Sequence, residues 1–201
     1  MVRRVIIFIG CVGAVLLSVF PPAVGASGLL PAGTFEIAPG DSSVTFAVPD
    51  NRGGFTGRTT RVMGRVVIEP PTDGGSHNAR VEAAIDAASL NTGNVGRDGR
   101  MRDEFLRTRQ FPKITFTGSV GARPGLGVRP FPATVRGRLT IRDVTRDIEF
   151  PATVVALARE YRADGSVKIR MADFGIPYPR AFIFVASDPV TVTLHILARQ
   201  H

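Results

Sequence analysis

The chain has 201 residues, 44% hydrophobic and 21% charged, with 22 Gly, 15 Pro and no Trp. That balance excludes a disordered, collagenous or multi-span membrane protein and fits about one domain. Formal charge is +8, and apart from Lys113 and Lys168 every cation is arginine, which we read as coding bias ahead of a nucleic-acid-binding surface.

Met1–Arg4 carries two arginines, Val5–Phe20 is uncharged and apolar, and Pro21–Ala26 ends in small residues. This is the layout of a secretory signal over residues 1–26, cleaved after Gly25 or Ala26. The alternative, a retained anchor, is disfavoured because the run is short for a span of roughly 20 residues. Cys11, the single cysteine, leaves with the signal, so thiol catalysis, disulfides and cysteine metal sites are excluded. The location expected is the bacterial periplasm or the outside of the cell. Residues 27–201 then form one domain, long enough to bury roughly 70% of its unfolded surface.

From Val44 onward the chain alternates apolar and polar residues with period two, the signature of sheets with one buried face. The apolar sets are Val44, Phe46, Val48, then Val62, Gly64, Val66, Ile68, then Ala79, Val81, Ala83, Ile85, then Ile114, Phe116. Four more follow: Val135, Gly137, Leu139, Ile141 within one strand over 134–144, Ile148, Phe150, Ala152, Val154, then Val167, Ile169, Met171, and last Val190, Val192, Leu194, Ile196. Eight strands with short connections and no crossover helix predict an all-β, antiparallel, eight-stranded barrel, because closure removes exposed edges. Gly57, Gly64 and Gly137 mark expected bends, and Asp164-Gly165 reads as a hairpin turn.

The one stretch of other character is Asn91–Gln110. Asp98 is the expected cap of a short helix near 98–107, with Met101 and Phe105 sharing a face. Arg97, Arg100 and Arg102 fringe it, giving either a solvated helix with internal ion pairs or an amphipathic lid that meets anions.

Candidate chemistry is sparse. His77, His195 and His201 have no zinc or triad spacing and read as surface residues, and no nucleophile elbow or phosphate loop is present. Asp143, Asp147 and Glu149, interleaved with Arg142 and Arg146, read as a surface ion-pair ladder. No catalysis, metal or cofactor is expected.

Ser89-Leu90-Asn91-Thr92-Gly93, the run Arg97–Leu106 and Phe111-Pro112-Lys113-Ile114-Thr115-Phe116, together with Ser43–Phe46, Gly137–Thr145 and Asp173–Ile176, resemble the motifs of the YceI-like family in order and spacing. The likeness runs from Thr34 to Leu197. It departs at Asp50 and Asn51, where a histidine is frequent, and at Thr59, where an aromatic is common.

The resemblance implies a lipocalin-like barrel that holds a long apolar chain, of polyisoprenoid or fatty-acyl type. The lining expected is Phe46, Val48, Val66, Val81, Ile85, Phe116, Leu139, Ile141 and Phe150. Met101, Phe105 and Phe174 would close over the chain, and Arg97, Arg100 or Arg102 would meet a polar head. The competing reading is a filled core, with Arg52, Arg58, Arg61, Arg65, Arg136, Arg138 and Arg142 forming a surface for anionic membrane lipid. Nucleic acid is not an expected partner, and the sequence sets no oligomeric state.

Overall fold

The computed structural model describes residues 32–70, 77–122, 130–157, 159–181 and 184–200. The signal at 1–26 and His201 lie outside the described residues. The strands are β1 Gly33–Ile37, β2 Ser43–Val48, β3 Phe55–Thr59, β4 Val62–Ile68, β5 His77–Asp86 and β6 Lys113–Ala122. They continue with β7 Phe131–Ile141, β8 Val144–Ala156, β9 Glu160–Ile169, β10 Arg180–Ala181, β11 Phe184–Val185 and β12 Val190–Arg199. A short helix α1, Val95–Arg100, lies between β5 and β6.

All pairings are antiparallel: ten strands run β1-β4-β5-β6-β7-β8-β9-β12-β2-β3, with β12 also pairing β1, and β10 pairs β11 apart from them. β1 and β2 lie end to end along β12, and β3 runs into β4, so the ring has eight staves and is closed. Each of the eight apolar sets read from the sequence turns inward. Val66 faces Val81, Val81 faces Gly118 and Gly118 faces Gly137 across successive strands, while Arg80, Glu82 and Arg138 are exposed outside.

The break in the first stave is built from local chemistry. Pro39 has no N–H to give and Gly40 has φ 99°, so the ladder to β12 stops. Ser42, fully buried, bridges the gap: its hydroxyl donates to the Leu197 carbonyl at 3.3 Å and accepts from the Leu197 N–H at 2.9 Å. The backbone groups of β12 at the break are thereby satisfied.

Three expectations are corrected. The strand read over 134–144 ends at Ile141, and Arg142-Asp143 is the hairpin turn, Arg142 taking φ 58°. Asp164-Gly165 is not a turn but the middle of β9, where Gly165 faces Ala152 and Leu194. A strand position that must stay small carries the same residue as a turn, which is why the dipeptide misleads. Met171 leaves the sheet and begins a 3-10 turn over Met171–Phe174, closed by Gly175 at φ 63°.

Two apolar clusters occupy the barrel's ends. One gathers Phe35, Ile37, Val44, Val62, Ile68, Phe131 and Tyr161; the other gathers Val48, Ile141, Met171, Phe174, Ile176 and Val190.

Candidate functional site

Between those clusters the barrel is hollow, with a cavity of about 870 Å³, within the range of small-molecule sites. Its wall is almost wholly apolar. Phe46, Val48, Val66, Val81, Ile85, Phe116, Leu139, Ile141 and Phe150 all line it, so the interior is not filled.

The reason lies in glycine placement. Inward phenylalanines would ordinarily fill so narrow a barrel. Here the ring of Phe116 takes the space above the facing pair Gly118 and Gly137, where a Cβ on either would come within 2.7 Å of it. Phe46 covers Gly57 in the same way, at 2.3 Å, and Phe150 covers Gly165, at 3.1 Å. Each ring is laid against a bare stretch of wall, and the lumen beside it stays open.

One end of the cavity reaches a mouth of mixed chemistry. The segment between β5 and β6 crosses it as a lid. Asn94 caps α1, its side-chain oxygen accepting from the Arg97 N–H at 2.9 Å. Asp98, expected as the cap, is instead inside the helix and 5% exposed. Its carboxylate accepts from the Thr92 N–H at 2.9 Å and the Thr92 hydroxyl at 2.7 Å, fastening the helix to the preceding loop. Asn91 and Arg58 then exchange two backbone hydrogen bonds that tie this loop to β3. After α1 the chain widens into a π-turn, Met101–Phe105, and Met101, Phe105 and Leu106 face the cavity.

The three arginines of the lid part company. Arg97 lines the cavity, its Nε donating to the Thr92 hydroxyl at 2.9 Å and its guanidinium lying 4.3 Å from the Phe55 ring centre. That stacking fixes its position at the mouth. Arg100 also lines the cavity but forks onto Glu104, holding that carboxyl below its ordinary range. Arg102 does not line the cavity; it points back and donates to the Leu90 carbonyl at 3.3 Å. Phe174 is likewise absent from the wall. It is 2% exposed and packed behind Met171 and Ile176, which line the cavity in its place.

Two mouth residues are not among the expected lining, where Asp50 counts as a departure from the family pattern and Arg52 as part of the outer basic surface. Asp50 and Arg52 lie on the β2–β3 connection and line the cavity. The Asp50 carboxylate accepts from the Gly54 and Arg52 N–H groups at 2.8 and 2.7 Å, which lowers its pKa, with Arg97 and Arg52 adding smaller effects. A negative charge is thus pinned beside the two cations. The signal in the sequence is the Gly53-Gly54 pair that follows Asp50 and Arg52, a turn that brings the loop back over the barrel's end.

His77 was read as a surface residue and is not: it is 6% exposed and lines the cavity at the end far from the lid. Its place at the start of β5 follows from the parity of Ala79, Val81 and Ala83. Burial holds its imidazole below the ordinary value of 6.5. The unfolded chain therefore binds the proton more readily, and stability falls as pH drops through about 6.5 and below. Urea midpoints compared at pH 7.5 and 5.5 will show this loss in the parent chain and a smaller one in His77→Gln, while the lowered carboxylates act in a more acidic window.

His195 is exposed and paired with Asp164. Part of the basic surface is paired: Arg65 with Glu82 at 3.0 Å, Arg136 with Glu149 at 2.9 Å, and Arg61 with Asp86 at 3.7 Å. Arg142 donates to the Gly175 carbonyl at 3.1 Å. Of the expected carboxylate ladder, Glu149 answers Arg136 across the strands.

The YceI-like domain model matches residues 35–198. The chain belongs to this family. Among solved structures it is similar to BcnA of Burkholderia cenocepacia, with 19% identity, TM-score 0.63, and coverage of 80% of this chain and 98% of that one. It is also similar to a polyisoprenoid-binding domain from Saccharophagus degradans implicated in plant cell wall breakdown, with 19% identity, TM-score 0.60, and coverage of 85% and 100%. At these identities both establish the closed eight-stranded barrel of the family. No curated protein matches the chain.

Proposed function

We propose that this YceI-like barrel is an exported carrier that encloses one long apolar chain, of polyisoprenoid or fatty-acyl type, and presents the chain's head at the arginine mouth. The observation that carries the reading is the cavity of about 870 Å³ whose wall offers hydrocarbon almost everywhere and hydrogen bonds almost nowhere. A flexible chain gains about 0.8 kcal/mol for each methylene it hides there, and asks for no polar partner. The polyisoprenoid-binding description of the Saccharophagus degradans domain supports the same ligand class. Binding rather than catalysis is the chemistry such a wall suits. The charged and apolar leader at 1–26 supports a periplasmic or secreted location, and the mass of the intact protein from its own host tests it.

Membrane contact is favoured by one observation. Val95, the first residue of α1 on the lid, is 91% exposed, within two residues of Arg97. An exposed aliphatic side chain beside cations suits the surface of an anionic bilayer, from which a carrier would take its cargo.

Mass spectrometry of an organic extract of the purified protein tests the central claim. A stoichiometric long-chain lipid is the expected result; protein that neither carries nor takes up such a chain refutes it. Arg97→Ala will weaken binding of a phosphorylated lipid by about 1–3 kcal/mol and leave a neutral chain of equal length unchanged. Arg100→Ala will cost less, since Glu104 already occupies its fork. Calorimetric titration of both ligands into both variants checks the pair, and equal losses for charged and neutral chains would mean a damaged lid.

A further inference from the structure

His77 is a buried polar side chain in the apolar wall at the end remote from the lid, where Tyr161 and Asn78 also line the cavity. On the inward face its rung continues through Ala122, Ala133 and Ala152 on the next three strands, and the adjacent rung is Ile68, Ala79 and Val120. The three alanines end in methyl groups, so the imidazole borders open lumen. Its Nδ1 is buried and has no hydrogen-bond partner among the described residues. Burying a nitrogen in that state costs stability that a leucine or phenylalanine at the same position would not.

The ring's ionisation restricts what would fit. Burial favours the neutral imidazole, which presents one donor and one acceptor nitrogen. A carboxylate or phosphate would call for the cation, and the arginines that serve anions are at the opposite end of the cavity. A hydroxyl or carbonyl oxygen asks for what a neutral imidazole offers.

We propose that His77 is a polar anchor at the end of the cavity remote from the lid, taking an uncharged oxygen, hydroxyl or carbonyl, carried by a long-chain ligand. The assignment rests on the reading of the barrel as a long-chain binder and adds to it a second point of recognition. The cavity then sorts its cargo by polarity at both ends: anionic groups meet Arg97, and neutral oxygens reach His77. A chain with an oxygen at its inner end is held in register, whereas a plain hydrocarbon slides.

The test uses the delipidated full chain with hexadecanol and hexadecane, each displacing a fluorescent fatty-acyl probe. The parent protein will prefer the alcohol by roughly three- to tenfold, the worth of one neutral hydrogen bond. His77→Leu will remove that preference while keeping hexadecane affinity, His77→Gln will retain part of it, and Arg97→Ala will leave it intact. A parent ratio of one overturns the anchor whatever the variants do. Loss of the preference in Arg97→Ala instead of His77→Leu also overturns it, by placing the oxygen at the mouth. In both cases hexadecane binding leaves the long-chain reading standing. Failure of both ligands to bind removes that reading and the anchor with it.

Discussion

Replacing Phe35 by alanine will cost about 3–5 kcal/mol of folding stability, the range for a buried aromatic cut back to a methyl. Phe35 is 0% exposed, and its ring meets the edge of Tyr161 at 4.8 Å and 89°, a geometry worth about 0.5–1.5 kcal/mol beyond burial. Its position makes the loss more than a local cavity. The first stave meets β12 through both of its halves, but β1 contributes only two paired positions, Glu36 with Arg199 and Ile37 with Ala198, the other five belonging to β2. The β1 half of the stave therefore relies on the side chains that it sends into the core, and Phe35 is the largest of them. Urea unfolding followed by far-ultraviolet circular dichroism will show a lower midpoint with unchanged slope. A loss under about 1 kcal/mol would mean that the seam is held by its hydrogen bonds and by the Ser42 bridge, not by Phe35.

The same residue shows where the sequence was opaque. Gly33–Ile37 offers only two inward apolar positions, Phe35 and Ile37, and Pro39-Gly40 cuts the pattern off directly after them, so the closing strand went unread although the eight other faces were legible with the right parity. Those faces are legible because alternation is dictated by the pleat itself, and a one-residue slip would have reversed every one of them. Turns were less legible. Asp164-Gly165 has turn chemistry but strand geometry, because Gly165 is needed under Phe150, and the real hairpin at Arg142 uses an arginine in a conformation that glycine usually supplies.

Among the site residues, the inward aliphatics followed from parity, whereas the lid did not. Whether an arginine on a short helix turns toward a cavity, toward a glutamate or toward a backbone carbonyl depends on neighbours brought from β3 and the Ser89–Thr92 loop. Arg97, Arg100 and Arg102 took one fate each. His77 was misread because its Gly/Ser-rich approach outweighed the strand parity that begins with it. The family resemblance supplied the expectation of an open interior, which periodicity could not, since a filled and a hollow barrel have the same alternation.

Filling the hollow should therefore separate folding from binding. Val81 sits in the rung Val66, Val81, Gly118, Gly137, whose two glycines are covered by the Phe116 ring, and its own side chain faces the open lumen beside that ring. Val81→Trp will add aromatic surface to a space that the parent leaves open, so the apo protein will unfold at the same temperature or higher. Affinity for a long chain will move the other way. Each methylene denied its place costs about 0.8 kcal/mol, so blocking four of them costs roughly 3 kcal/mol, on the order of a hundredfold in Kd. Chains short enough to stop before the rung will bind nearly as before, and Val81→Ala will bind long chains at least as well as the parent. Val81→Phe serves as the milder version should indole overfill the wall, since forcing extra atoms into a packed site costs about 1–3 kcal/mol. Calorimetric Tm values and a chain-length series of Kd values check the prediction together. Long-chain affinity unchanged in a folded Val81→Trp would place the ligand outside the lumen and end the carrier reading, because no chain long enough to pass this rung could share it with an indole.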